Sequence, residues 1–146
     1  MPKFKYRMQN ILDIKLKLEE QAKNEYSQAR AKLLQEEQIL EALRARRRGY
    51  EEESRQLRSE RLDVRAMASN RMALKVMDDM IAAQLTEVKR AEKEVDKCQR
   101  AMQVAMQERK MHEKLREKAL EQFFEEEKQN ENKAIDELTS YVYGQK

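Results

Sequence analysis

Two side chains in this sequence have the chemistry of a nucleophile and its base, Cys98 and His112. A thiol becomes a useful nucleophile when a base stands within hydrogen-bond reach. On one helix, positions 98 and 112 lie about 21 Å apart at 1.5 Å per residue. The pair therefore reads as two separate seam residues, the cysteine a small apolar filler and the histidine a polar member that helps fix register. A zinc site needs several clustered Cys or His ligands, and the chain has one of each. Asp78 and Asp79 are adjacent carboxylates, but helix neighbours point about 100° apart, so they read as solvated. Loops that cradle phosphate need glycines for close backbone approach, and Gly49 and Gly144 are isolated. No catalysis, metal or cofactor is expected.

The remaining candidates are binding features. Arg44, Arg46, Arg47 and Arg48 could meet phosphate or an acidic partner. Glu51, Glu52 and Glu53 follow within helical reach and can neutralise them locally. The balance of 31 basic and 28 acidic residues, a net charge of +3, lacks the one-sided excess of a nucleic-acid binder. Met67, Met72, Met77 and Met80 crowd one region and cannot all face one narrow seam. Flexible thioethers suit adaptable protein contacts, or they form an apolar cap. Exposed apolar side chains near Tyr50, Met77, Met80 and Ile81 mark where a partner would be sought.

The elements that carry these residues follow from composition. The chain has 146 residues, of which 40% are charged, with two glycines and one proline. Turns depend on Gly, Pro, Asn and Asp, so a chain this poor in breakers cannot build sandwiches, barrels or doubly wound sheets. Its dominant residues are strong helix formers. A mean hydropathy of −1.04 suits a thin apolar seam. No stretch reaches the roughly 18 apolar residues of a membrane span, no signal peptide is visible, and a single cysteine fits a reducing cytoplasm.

Apolar residues recur at three-four spacing, the coiled-coil period. Phe4, Met8, Ile11, Leu18 and Ala22 form one stripe. It drifts, by way of a suspected stutter, into Tyr26, Ala29, Leu33, Leu40, Leu43, Tyr50 and Leu57, with Lys15, Glu36, Arg47 and Ser54 as polar members of the same register. Leu74, Met77, Ile81, Val88, Ala91, Val95, Cys98, Met102, Ala105, Ala119 and Phe123 form the second stripe, with Gln84, Arg109, His112 and Arg116 as polar members. The expectation is an all-α fold, a long antiparallel two-helix coiled-coil hairpin forming one domain over 1–146. Helix 1 is placed at about 3–58, the bend at 59–70, helix 2 at about 70–140, and a short frayed tail after it. Ser69 or Asn70 would cap the second helix, with Gly49 the rival turn. Residues past about 125 would project beyond the N-terminus. A continuous dimeric coiled coil is the structural alternative, and a basic nucleic-acid-binding helix a more distant one.

The opening residues Phe4, Tyr6, Arg7, Met8, Gln9, Ile11 and Leu12 resemble the N-terminal motif of the FliJ family, small components of the bacterial flagellar type III export apparatus. That motif has two aromatics one residue apart, then Arg, an apolar residue, Gln and an apolar pair. Residues 17–25 fit the family's early helix, and residues 125–130 and 133–138 its late Glu/Lys-rich segment. The resemblance covers the whole chain in length and layout. It implies a coiled coil similar to the rotor stalk of rotary ATPases, a non-enzymatic protein needed for flagellum assembly and motility. Its implied partners are the flagellar export ATPase, which it engages and stimulates, a membrane export-gate protein, and export chaperones that it recycles. Its implied place is the cytoplasmic face of the inner membrane at the flagellar base, as a monomer when isolated. By the same resemblance Phe4, Tyr6, Arg7, Met8, Gln9 and Leu12, with Asp136, Glu137 and Leu138, would face the ATPase ring. Leu43, Tyr50, Met77, Met80, Ile81 and Gln84, near the bend, would face the export gate.

Overall fold

The computed structural model describes residues 2–144. Two helices account for nearly all of them, α1 (Gln9–Ser59) and α2 (Val64–Gly144), and no strand occurs among the described residues. The helices pack against each other as an antiparallel coiled coil. The residues cluster into two compact units, one of residues 22–102 and one of residues 1–21 with 103–146.

The unit of residues 22–102 is a helical hairpin. The turn occupies 60–63, inside the expected bend but much shorter, because α2 starts at Val64 and not near 70. Its cap is Asp63, whose Oδ1 accepts the backbone N–H groups of Arg65 at 3.1 Å and Ala66 at 3.2 Å. Those N–H groups have no partner within the helix, so an oxygen there stabilises the start. At the other side of the turn, the Ser59 hydroxyl donates to the Gln56 carbonyl at 3.0 Å, and Arg58 lies in the last turn of α1, where a cation suits the helix dipole. Gly49 is helical with ordinary backbone angles and turns nothing.

The hairpin's buried and half-buried positions on α1 step through Ala22, Tyr26, Ala29, Leu33, Glu36, Leu40, Leu43, Arg47, Tyr50, Ser54 and Leu57. The alternation of three and four is unbroken, so there is no stutter at Ala22 to Tyr26. Facing them on α2 are Asn70, Leu74, Met77, Ile81, Gln84, Val88, Ala91, Val95, Cys98 and Met102, the register expected from spacing. Antiparallel order is fixed by side-chain bonds: Arg47 to Asp78 at 2.6 Å, Gln84 to the Glu36 carbonyl at 3.0 Å, Asn70 to the Tyr50 carbonyl at 2.9 Å.

In the other unit α1 contributes Leu12, Lys15 and Glu19 to the seam, and α2 contributes Ala105, Arg109, His112, Arg116, Ala119 and Phe123. The expected stripe through Ile11 and Leu18 is displaced by one residue. Both are exposed, while Leu12 and Glu19 are buried. The charges opposite are the cause: Arg109 clamps the Glu19 carboxylate at 2.6 and 3.2 Å, and Lys15 pairs with Glu108 at 2.8 Å. Helix 1 also starts later than expected, at Gln9 and not residue 3. Residues 2–8 are non-helical, with Phe4 packed on Phe123 of α2. Helix 2 runs to Gly144, so the segment from 140 to 144, expected as frayed, is helical. Residues 145 and 146 lie outside the described residues.

Candidate functional site

The motif residues at the chain start form an aromatic cluster with α2. The Phe4 and Phe123 ring centroids lie 5.5 Å apart in a tilted arrangement, and Phe123 meets Phe124 edge-on at 5.9 Å. The Arg116 guanidinium sits over the Phe4 ring at 5.6 Å, and its Nε donates to the Gln9 side-chain carbonyl at 3.1 Å. Gln9 in turn donates to Asp13 at 2.9 Å, and its backbone N–H donates to the Tyr6 carbonyl. Aromatic faces attract one another's edges and attract cations, so this set holds a short non-helical segment without a strand or disulfide. A shallow groove of about 340 Å³ opens beside it, lined by Tyr6, Met8, Ala119 and Gln122 among others. The Tyr6 hydroxyl is buried there with no hydrogen-bond partner.

The expected terminal residues are distributed unevenly around this cluster. Phe4, Tyr6 and Gln9 are half-buried in it, Arg7 and Met8 are exposed at its edge, and Leu12 is buried in the seam. Leu12 can thus serve a partner only through the fold. Asp136, Glu137 and Leu138 are exposed on α2, but 13 to 15 residues beyond Phe123, roughly 20 Å along the helix. From 128 to 144 every residue of α2 is exposed, and Ile135, Leu138 and Val142 form an apolar row at three-four spacing. The span 124–144 carries six carboxylates and two lysines.

Near the bend, Leu43 and Met77 are buried, and Tyr50, Ile81 and Gln84 are half-buried seam residues. Gln84 is bonded to the backbone and carboxylate of Glu36. Of the six residues expected to face a partner there, Met80 is the exposed one. Met72 is also exposed, so the methionines divide between seam and surface. Two of the four arginines of the run are in ion pairs: Arg47 with Glu51 and Asp78, and Arg48 with Glu41 at 3.0 Å.

The seam holds the charges expected at Lys15, Glu36 and Arg109, and one that the spacing of α1 did not place there, Glu19. Hydrogen bonds that Arg109 donates to Glu19 and then to Glu113 raise its pKa above the ordinary value. The hydrogen bond from Lys15 lowers that of Glu108, and those from Lys32 and Gln84 lower that of Glu36. Burial, chiefly, pushes the Cys98 thiol up, opposite to what an activated nucleophile needs. The polar seam positions were visible in each helix alone, but their pairing across the seam is legible only when both helices are read together. No helix among the described residues is long and apolar enough to cross a membrane.

Comparison with known proteins gives one match. The family model described as "Flagellar FliJ protein" matches residues 4–146, spanning the aromatic start, both helices and the exposed end of α2. No curated protein and no solved structure matches the chain.

Proposed function

Because the chain belongs to the FliJ family of flagellar export components, we propose that it is a non-catalytic binding protein that engages and stimulates the flagellar export ATPase through its terminal surface. The observation that carries the reading is the stretch 128–144 of α2, wholly exposed and bearing an unpartnered apolar row. A helix exposing Ile135, Leu138 and Val142 spends no burial on its own fold, which marks a protein contact. The aromatic cluster of Phe4, Phe123 and Arg116 then anchors the motif residues, leaving Arg7 and Met8 outward. In this reading the isolated protein is a monomer that works at the cytoplasmic face of the inner membrane. The bend, through Met80 and the exposed edges of Tyr50 and Ile81, contacts the export gate, and export chaperones are handed on.

The test is ATP hydrolysis by the purified flagellar export ATPase of the same organism, with and without this protein. Added protein raises the rate, and Leu138→Asp with Val142→Asp abolishes the increase while leaving helicity intact. Unchanged stimulation by that variant, or no stimulation by the unaltered chain, would remove the terminal surface from the account.

A further inference from the structure

The two sides of the seam in the unit of residues 22–102 differ in charge. On α1, Arg44, Glu51 and Arg58 adjoin the seam residues Leu43, Tyr50 and Leu57; on α2, Arg71 and Asp78 adjoin Asn70 and Met77. In an antiparallel pair these positions flank one side, and the bond from Arg47 across to Asp78 at 2.6 Å joins the helices there. One turn on and further outward stand Arg48, Arg55 and Lys75. Arg44, Arg48, Arg55, Arg58, Arg71 and Lys75 are all exposed. The carboxylates among them are held: Glu51 and Asp78 by Arg47, Glu41 by Arg48, and Glu52 by Arg55. Seven cations thus stand with four carboxylates. Over the same length the other side carries small and apolar residues such as Ala42, Gly49, Val76 and Met80, with one cation, Arg46, and one carboxylate, Glu53. The basic side ends at the turn, where every residue from 58 to 65 is exposed. Leu62 and Val64 there are 73% and 78% exposed, with Arg61 and Arg65 beside them. Of the turn's two carboxylates, Glu60 and Asp63, the second gives an oxygen to the start of α2.

We propose that this side of the hairpin, from Arg44 to the turn, is a contact for an anionic phospholipid surface. Guanidinium groups match phosphate oxygens with paired hydrogen bonds, and six of the seven cations are arginines. From Arg44 to Arg58 they extend about 21 Å along α1. Leu62 and Val64 decide among polyanions. Aliphatic side chains at the end of a basic surface gain burial in the interfacial layer of a bilayer, whereas a nucleic-acid backbone offers such a surface phosphate and sugar. Cations near an anionic leaflet and apolar side chains within it add their attractions. Val64 stands seven residues before Arg71 and so lies on the same side of α2, and one approach brings both to the membrane. Met80, assigned to the export gate, lies on the other side and stays free. The contact uses neither the aromatic cluster nor residues 128–144, so it is a site additional to the one assigned to the ATPase.

The experiment is co-sedimentation of the full chain with vesicles of phosphatidylcholine mixed with phosphatidylglycerol, and with vesicles of phosphatidylcholine alone. The mixed vesicles bind at least tenfold more tightly, and added salt weakens that binding. Arg44→Gln with Arg71→Gln and Lys75→Gln lowers affinity for the mixed vesicles at least tenfold. Leu62→Ser with Val64→Ser, which alters no charge, lowers it at least threefold. Arg46→Gln with Arg90→Gln and Lys97→Gln removes as much charge from the other side of the same unit and changes affinity less than twofold. Circular dichroism shows each variant to be as helical as the unaltered chain. Equal binding to the two kinds of vesicle, or equal losses in the two triple variants, overturns the proposal. So does duplex DNA bound as tightly as the mixed vesicles and unaffected by Leu62→Ser with Val64→Ser, which makes the side a nucleic-acid face. An oligoglutamate peptide bound in that same pattern overturns it too and assigns the side to an acidic protein. None of these readouts measures ATP hydrolysis, so failure here leaves the ATPase reading standing.

Discussion

A comparison of Leu40→Ala with Leu138→Ala separates what the seam needs from what the exposed end of α2 offers. Leu40 is 7% exposed and Leu138 64% exposed. Truncating a buried leucine costs about 2 to 5 kcal/mol, rising with the cavity that remains. A two-helix seam is thin, so neighbours and water close over the gap, and Leu40→Ala belongs near the lower end, about 2 to 3 kcal/mol. For a chain of this size each kcal/mol moves the melting temperature by roughly 2 to 4 °C, so the expected fall is about 4 to 12 °C. Leu138 hides about a third of its surface, which limits the loss to roughly 0.5 kcal/mol. Alanine's better helix propensity offsets part of that. Thermal unfolding followed by far-UV circular dichroism should leave Leu138→Ala within about 2 °C of the unaltered chain. ATPase stimulation, measured below both transitions, should fall several-fold for Leu138→Ala and stay unchanged for Leu40→Ala. Comparable falls in melting temperature would mean that residue 138 is packed, and unimpaired stimulation by Leu138→Ala would refute its role as a contact.

Removal of the Asp63 carboxylate by Asp63→Ala should cost about 1 kcal/mol, visible in urea unfolding, whereas Ser69→Ala, at an interior helix position, should not lower the midpoint and should raise it slightly through alanine's better helix propensity. Glu36 and Glu108 both have lowered pKa values. Their stabilisation is therefore fully present above the ordinary carboxylate value of 4.5 and is lost as pH falls from there through the lowered values. Urea midpoints taken from pH 7 to pH 3 should decline, and Glu36→Gln should flatten that decline; an equal slope would deny its part. Cys98, buried and with a raised pKa, should react with iodoacetamide at pH 8 at least tenfold more slowly in the folded chain than in urea, and a folded rate equal to that in urea would show the seam to be open there.

The register of α2 was legible because apolar side chains fill most of its layers, from Leu74 through Phe123. The first turns of α1 were not, because two adjacent faces compete there. Lys15 is common to both faces, and Ile11 with Leu18 outranks Leu12 with Glu19 on hydrophobicity alone, so nothing within α1 points to the observed face. Similar ambiguity hid the turn: Asp63, Ser69 and Asn70 are all capping types, and Asn70 is drawn inward because its carboxamide reaches the Tyr50 carbonyl. A chain poor in breakers leads to a helix from about residue 3, but the ring contact of Phe4 with Phe123 holds residues 2–8 out of the helix. The candidate site was half-legible for the same reason. The aromatic motif stood out as types and spacing, while its distance from residues 136–138 depends on which residue of α2 lies beside Phe4.

The charges at Lys15 and Glu19 favour that alignment over its neighbours. In the observed register Lys15 meets Glu108 and Glu19 meets Arg109. Sliding α2 by one heptad keeps every seam position a seam position, so apolar periodicity cannot forbid it. A slide in one direction brings Arg116 to Glu19 but sets Leu115 against Lys15. A slide in the other sets Met102 against Glu19 and leaves a buried carboxylate without its cation, a costly arrangement. Buried ions add little net stability when paired and cost much when unpaired, so their use here is to reject the neighbouring registers. That choice carries through to function, because a slide of one heptad would move the end of α2 by about 10 Å relative to Phe4. Lys15, Glu19 and their partners, which touch neither end of that surface, thus help set the length of exposed helix beyond the aromatic cluster, together with the Arg116 bond to Gln9.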